Sequence, residues 1–304
     1  MFFRYLILIT GIATAISAQA NDAVELRSGL LINMPAAQVY LMQPAGGVEA
    51  VAVANGATRW RSDSADQPLS LQQNLLLLQI DTQLEGRMDL AWIDVDTGRV
   101  ESTEAVTLPK GVIPRVNQGL GQEFDHRLTA AGDLIWEQRS RPVRGMPSEQ
   151  PAPLQRQAGA VSLSGGSIAA LAPPDPQTVS ALWQAQSPEV PASSPGQRRF
   201  RAAGGDAILV SREDADASIW ERYEWTVVGA EGKVLGQFRS HMSYSPFVVL
   251  DGVLLYVTQP LSRQTADRGL VSEPLMLRAI DLATGQQVWA RELRDTRYQG
   301  PYPA

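Results

Sequence analysis

Histidine is the side chain that most readily exchanges a proton near neutral pH, and the chain contains two, His126 and His241. They do not form a pair with the spacing that holds a metal ion. Serines are plentiful enough to leave a Ser-His-Asp triad open, but no nucleophile-elbow motif supports one. Both histidines fall in or beside predicted inner strands. We therefore expect packing or capping roles for them, and we predict no catalytic residue and no metal site.

Thiol chemistry is excluded because the sequence contains no Cys. The same absence rules out disulfides and thiolate metal sites, so stability must come from a hydrophobic core. Phosphate binding by a Gly-rich loop is also unsupported, since Gly165-Gly166 and Gly204-Gly205 lie in predicted turns that no helix follows. The formal net charge is −6, which disfavours nucleic acid and anionic membranes as partners.

The elements that would position a site come from a repeated pattern of strand, Gly-containing turn and strand. It is clearest in LRAIDLATGQQVW, where Asp281 and Gly285 precede Trp289. A second copy, WIDVDTGRV, has Asp94 and Gly98 at the matching positions. Weaker copies lie around three other turns, with Gly56 followed by Trp60, with Gly166, and with Gly232.

Two further short strands are predicted before each of the five units, for example around the hairpin turn Asp251-Gly252. Four strands in each of five units predict an all-β fold, a β-propeller of four-stranded antiparallel blades with five blades. We treat residues 21–304 as one propeller domain with long Pro-rich insertions at 139–157 and 173–197. In each turn we expect the Asp to hydrogen-bond the backbone, the Gly to adopt the left-handed conformation, and the Trp to fill the space between blades.

The tract LRAIDLATGQQVWARELRD resembles the blade motif of the pyrroloquinoline-quinone-type, or quinoprotein-like, β-propeller repeat family. The resemblance covers most of the chain after residue 20 by pattern and is specific in two or three blades, because Ala52, Ser162 and Val228 stand at the Asp position elsewhere. Redox enzymes of that family are longer and eight-bladed, and they hold quinone and calcium with residues that include a vicinal Cys pair. The resemblance therefore implies the scaffold, without the quinone or any other cofactor.

Glycoside hydrolysis is the alternative function. Some five-bladed propellers are glycoside hydrolases, whose paired carboxylates converge on the central channel from the inner strands. Asp125 is the only carboxylate within a predicted innermost strand. Two or more carboxylates facing each other in the channel would favour an enzyme, whereas an apolar or Arg-lined mouth would favour binding.

Strand alternation predicts that the connections divide between two faces. The first-to-second and third-to-fourth turns share one face and are tight, whereas every long insertion emerges on the other face. Because recognition often resides on loops carried by a rigid scaffold, we expect Arg141, Arg144, Arg263 and Arg268 to bind a partner there. The alternative is that these loops are merely solvated insertions.

The first twenty residues have the pattern of a cleaved secretory signal. Arg4 precedes an apolar run, and Ala18-Gln19-Ala20 supplies the small residues of a cleavage site. An uncleaved anchor is the alternative, although the run is shorter than the ~20 apolar residues that span a bilayer. Cleavage after Ala20 removes one base, which makes the charge 25 − 32 = −7. We predict a periplasmic or secreted, non-catalytic binding scaffold without a lipid anchor, whose partner is a protein or another envelope macromolecule.

Overall fold

The computed structural model describes residues 23–117, 122–129, 133–140, 155–163, 168–177, 179, 189–265 and 269–296. Within these ranges the chain is built from β-strands that pair as antiparallel neighbours. The predicted all-β class and the four-stranded antiparallel sheets are therefore confirmed. None of the helical segments in the described ranges is long and apolar enough to cross a membrane.

Five sheets follow one another along the chain, and the strands of each sheet pair in sequence order. Sheet 1 contains β1 (Ala23–Arg27), β2 (Leu30–Asn33), β3 (Gln38–Met42), β4 (Val48–Ala52) and β5 (Thr58–Ser62). Sheet 2 contains β6 (Gln67–Gln72), β7 (Leu75–Ile80), β8 (Arg87–Asp94) and β9 (Val100–Thr107). Sheet 3 contains β10 (Gln122–Leu128), β11 (Leu134–Ser140), β12 (Gln155–Ser162) and β13 (Ala169–Leu171).

Sheets 4 and 5 each carry an addition to the four-stranded plan. Sheet 4 contains β14 (Glu189–Val190), β15 (Gln197–Arg201), β16 (Ile208–Glu213), β17 (Tyr223–Val228) and β18 (Val234–Ser240), with one 3₁₀ turn at Ile219–Glu221. Sheet 5 contains β19 (Phe247–Leu250), β20 (Val253–Thr258), β23 (Met276–Asp281) and β24 (Gln287–Glu292). A separate hairpin of β21 (Leu261–Thr265) and β22 (Gly269–Glu273) lies between β20 and β23.

The strands form where apolar and β-branched residues can be buried on both faces of a sheet. β7, whose sequence is LLLLQI, is buried at its four central positions. β17 instead alternates, with Trp225 and Val227 buried between more accessible neighbours. Inner strands therefore lie between two sheets, whereas strands nearer the outside bury one face.

The hydrophobic core lies at the junctions between successive sheets. Separate buried clusters join sheet 1 to sheet 2, sheet 2 to sheet 3, and sheet 4 to sheet 5. A further cluster joins sheet 5 back to sheet 1 and includes Leu41, Leu277 and Trp289. Among the described residues, no such cluster joins sheet 3 to sheet 4.

Polar contacts also connect the end of the chain to its first two sheets. Arg294, which follows β24, donates hydrogen bonds to Asp66 at 2.7 Å and to Asp81 at 3.3 Å. Its backbone N–H donates to the carbonyl of Met42 at 3.2 Å. The last sheet therefore contacts the first through apolar packing and a backbone hydrogen bond, and Arg294 adds ion pairs to the connections on either side of β6 and β7.

Antiparallel pairing places alternate connections at opposite ends of the sheets. The tight-turn end, as we name it, carries the short turns 34–37, 53–57, 73–74, 95–99, 202–207, 229–233, 251–252 and 282–286. At the opposite, long-loop end β11 finishes and β12 begins, separated by the connection 141–154, and β20 finishes and β23 begins, separated by 259–275. The connection 172–188 starts at this end, after β13, but β14 runs antiparallel to β15 and therefore begins at the tight-turn end. The first Pro-rich insertion is shorter than 139–157, because β11 continues to Ser140 and β12 begins at Gln155.

Candidate functional site

The repeated Asp residues cap the turns that follow them. Oδ1 of Asp281 accepts hydrogen bonds from the backbone N–H groups of Ala283 at 2.8 Å and Thr284 at 3.0 Å. Asp94 makes the same contact with Thr97 at 2.9 Å, and the hydroxyl and N–H of Thr97 hold the pKa of Asp94 below its usual value. This geometry organises the turn and leaves Asp94 and Asp281 with structural tasks.

The repeated Trp residues connect one sheet to the next. The indole N–H of Trp60 donates to the carbonyl of Val95 at 2.6 Å, and that of Trp289 donates to the carbonyl of Val53 at 2.7 Å. A Cβ placed on Gly56, whose φ is +69°, would lie 2.5 Å from Cγ of Trp289. The turn Gly is thus required both by its own conformation and by the indole packed on it.

The same register position in sheet 4 is occupied by a glycine. Gly236 lies opposite Val227, as Trp60 lies opposite Ala50 and Trp289 lies opposite Ala279. The sequence pattern had put Val228 at the Asp position of this sheet. The register puts Gly229 there instead. The N–H of Gly229 donates to the carbonyl of Lys233, four residues later, whereas the N–H of Asp281 donates to the carbonyl of Gln286, five residues later. The turn containing Gly232 is therefore one residue shorter than the turn of sheet 5.

Most of the arginines predicted to bind a partner lie outside the described residues. This applies to Arg141, Arg144 and Arg268, and also to Gly166 of the third turn. The backbone of Arg263 lies in β21, paired with Val271. All four arginines belong to connections at the long-loop end, and their role stays a prediction.

The first strand, β1, contacts four of the five sheets. It pairs with β2 of sheet 1, and Leu26 packs in the cluster that joins sheets 1 and 5. Glu25 forms an ion pair with Arg127 of sheet 3 at 3.4 Å. A Cβ on Gly204, in a turn of sheet 4, would lie 2.5 Å from Val24. A strand of the chain itself therefore links sheets that are far apart in the sequence.

The carboxylates on β1 and β10 are paired with arginines. Glu25 is 21% exposed, and burial raises its pKa while Arg127 lowers it. Arg139 forms an ion pair with Asp125 and contacts Glu123 at 3.4 Å. These carboxylates therefore already have cationic partners.

Sequence reasoning identified Asp125 but missed Glu25 and Glu123. β10 begins at Gln122 and so includes Glu123 as well as Asp125, and β1, which contains Glu25, was not predicted. The alternation in AVELR, where Val24 and Leu26 flank Glu25, was the available signal for β1.

The two histidines have different surroundings. His126 is 4% exposed, and its burial, assisted by the charge of Arg127, lowers its pKa to about 3. His241 is partly buried, which also lowers its pKa, while Glu273 and a main-chain hydrogen bond with Gln259 act in the opposite direction. Nε2 of His241 is buried and has no hydrogen-bond partner. His126 is thus a neutral packing residue, whereas His241 has an unsatisfied ring nitrogen.

His241 lies in the wall of a groove between sheets 4 and 5. The groove has a volume of about 570 Å³ and lies between β18 on one side and β20, β23 and β24 on the other. Trp220, His241 and Glu273 line its long-loop end, and Thr284 to Gln287 line the opposite end. A volume of this size falls within the range of small-molecule sites.

The groove combines an apolar lining with polar groups. Phe238 and Ile280 contribute apolar surface, and burial raises the pKa of the Tyr256 hydroxyl to about 12. Arg278 donates to both Glu273 and Gln287. The groove could not be found from the sequence because two sheets form it. In the described part of the chain, no cluster of three or more His, Asp or Glu side chains is arranged to hold a metal ion.

No protein-family model and no curated protein sequence matches the chain. Similar solved structures include a europium-containing methanol dehydrogenase, with 10% identity over 84% of this chain and 67% of that one and a TM-score of 0.24. A hydrazine synthase of Kuenenia stuttgartiensis is 8% identical over 80% and 69%, with a TM-score of 0.31. The β-propeller domain of Cps50 (Swd1) of Myceliophteria thermophila is 10% identical over 89% and 88%, with a TM-score of 0.28. At these scores the architecture is defined by the chain's own strand order and registers.

Proposed function

We propose that residues 21–304 form a five-bladed β-propeller that is exported from the cytoplasm and binds a protein or another envelope macromolecule through its long-loop end. Five sheets with strands paired in sequence order support the blade number. The contact of Trp289 with Val53 supports a ring that returns to its first sheet.

The uneven distribution of the connections is the observation that carries this proposal. Turns at one end of the sheets are short, whereas the strands joined by the long connections 141–154 and 259–275 both finish and begin at the other end. Loops on a rigid scaffold are where recognition residues concentrate. Arg141, Arg144 and Arg268 belong to these connections, which suits a partner with anionic groups.

A glycoside hydrolase is less well supported. Such an enzyme needs two carboxylates that flank a substrate in an open channel. Here Glu25 and Asp125 are 21% and 18% exposed and paired with Arg127 and Arg139. These ion pairs therefore favour a structural role for the two carboxylates.

Matched charge reversals at the two ends test which end binds. The Arg141→Glu/Arg144→Glu variant changes the long-loop end, and the Arg99→Glu/Lys233→Glu variant makes the same charge change at the tight-turn end, where both residues are exposed. Using the mature protein as bait in an envelope extract, we expect the first variant to lose the partner captured by the unmodified protein and the second to retain it. The opposite result would reject the long-loop end as the binding face.

Export is tested by intact-mass measurement of the protein recovered from cells. We expect the mass of a chain that begins at Asn21. Recovery of a species that retains Tyr5 to Ile16 would show that the segment is not removed.

A further inference from the structure

We propose that the groove between sheets 4 and 5 is a binding site for a neutral saccharide of one or two rings, separate from the partner-binding face. Three features of the groove support this site: its origin, the balance of charge in its walls and the pairing of its polar groups. None of them involves the proposed capture of a macromolecule by the long loops.

The groove occurs at a junction that lacks the tryptophan seen at two others. At the junction of sheets 5 and 1, the ring of Trp289 packs on Gly56 and bonds Val53. At the junction of sheets 4 and 5, Gly236 brings the backbone of β18 directly against the carbonyl of Leu282, where an added Cβ would overlap that oxygen. Because no large side chain extends from Gly236, space remains between the two sheets from this position towards the long-loop end.

The charges that line the groove cancel. Its ionic residues are the acids Glu221 and Glu273 and the bases Arg239 and Arg278. His241 adds no charge at neutral pH, since its burial favours the neutral ring. A wall with two negative and two positive groups gives no net attraction to a cation or an anion, so a neutral ligand fits it best.

The polar groups suit hydroxyls, which both donate and accept hydrogen bonds. The neighbouring Arg278 and Glu273 present a donor beside an acceptor. His241 lines the groove at the same end as Glu273 and adds a further polar side chain. Trp220, whose ring centroid is 6.5 Å from that of His241, offers an aromatic surface at the same end. Ring hydroxyls could therefore meet the charged wall while ring C–H groups contact apolar surface.

An extended peptide fits this groove less well. Peptides that bind beside a sheet add a strand to its free edge. The carbonyl oxygen of Gln237 on β18 is close to the turn of sheet 5, where a Cβ on Gly285 would lie 2.6 Å from it. The turn 282–286 therefore obstructs the edge of β18 at that end, and a compact ligand is favoured.

The two histidines provide reporters inside and outside the groove. We would follow the imidazole NMR signals of His241 and His126 in the full mature protein while adding cellobiose, maltose or N,N′-diacetylchitobiose. We expect at least one of these sugars to shift the His241 signals saturably and to leave those of His126, which lies in sheet 3, unchanged. Trp220→Ala should weaken binding about fivefold, and Trp220→Phe should preserve it within about twofold, since a phenyl ring retains the aromatic contact.

Three results would overturn the proposal. The first is the absence of a His241 shift with all three sugars at tens of millimolar. The second is a larger saturable shift with tetra-alanine than with any sugar, which would identify a peptide groove. The third is unchanged sugar affinity in Trp220→Ala. Capture experiments with the Arg141→Glu/Arg144→Glu variant are read separately, so failure of one proposal is distinguishable from failure of the other.

Discussion

His126 lies on β10 opposite Trp136 and is 4% exposed. Burial lowers the pKa of its side chain to about 3, compared with an ordinary value of 6.5. The sequence suggested a packing role for this histidine from its place in a predicted strand. The sequence could not show the extent of its burial, because Trp136 lies opposite it only after β10 and β11 have paired.

The free energy of unfolding should fall in acid because of this residue. Between pH 6.5 and about 3 the unfolded state binds a proton that the folded state excludes, so stability rises with pH in this window and is lost as the pH falls. One pKa unit corresponds to about 1.4 kcal/mol, so the loss at pH ~4.5 is on the order of 3 kcal/mol. Urea unfolding of the unmodified protein and His126→Leu at pH ~7 and ~4.5 measures it.

The unmodified protein and His126→Leu must both be measured at both pH values, because other groups also change protonation between pH ~7 and ~4.5 and affect the two proteins alike. The unfolding free energy of His126→Leu relative to the unmodified protein should improve by roughly 2–3 kcal/mol on acidification. If the difference between the two proteins is the same at both pH values, His126 is not excluded from protonation by the fold.

The contact between one sheet and the next depends on the residue at one register position of the last strand of the sheet. This position is Trp60 in β5, Gly236 in β18 and Trp289 in β24. Where it is Trp60 or Trp289, an indole N–H satisfies a carbonyl of the next sheet. Where it is Gly236, the backbone itself makes the close contact. The repeated pattern of a turn Gly followed four residues later by Trp made the Trp junctions predictable. The junction at Gly236 was not, because a turn shortened by one residue shifts the register.

Replacement of Trp289 separates the packing of the indole from its hydrogen bond. Trp289→Phe keeps an aromatic ring but leaves the buried Val53 carbonyl without its donor, and we expect a cost of about 1–3 kcal/mol. Trp289→Ala also removes the packed ring and should cost about 3–5 kcal/mol. Urea unfolding of the two variants measures both values, with Trp220→Phe, at a partly exposed site, as the control expected to stay near the unmodified protein. Equal losses for Phe and Ala would show that the ring contributes nothing beyond its N–H.

Across the whole molecule, β1 connects sheets that are distant in sequence. It pairs with sheet 1, bonds sheet 3 through Glu25 and touches sheet 4 through Val24. Local patterns could predict the sheets because each is made of neighbouring strands. They could not place β1, since the contact of Glu25 with Arg127 joins residues 102 apart.

A double-mutant cycle tests whether β1 contacts sheet 3. Arg127→Gln leaves Glu25 with a buried carboxylate that has lost its cation, so we expect a loss of about 3–5 kcal/mol. In Glu25→Gln/Arg127→Gln that charge is absent, and part of the loss should be recovered. The coupling energy from the four unfolding curves should be about 0.5–3 kcal/mol. Strict additivity would mean that the two side chains do not meet.

The return of sheet 5 to sheet 1 has a consequence for the timing of synthesis. Trp289 bonds Val53 across 236 residues, and Arg294 reaches Asp66 across 228. A ribosome makes sheet 1 first, and sheet 2 can cover one face of it soon afterwards, but the sheet 5 residues that cover the other face emerge only with the segment up to Arg294. Contacts of such long sequence separation slow folding and leave apolar strands exposed in the meantime. The face of sheet 1 that packs on sheet 5 therefore stays exposed on the nascent chain for most of its synthesis, and it is a surface that a chaperone would protect.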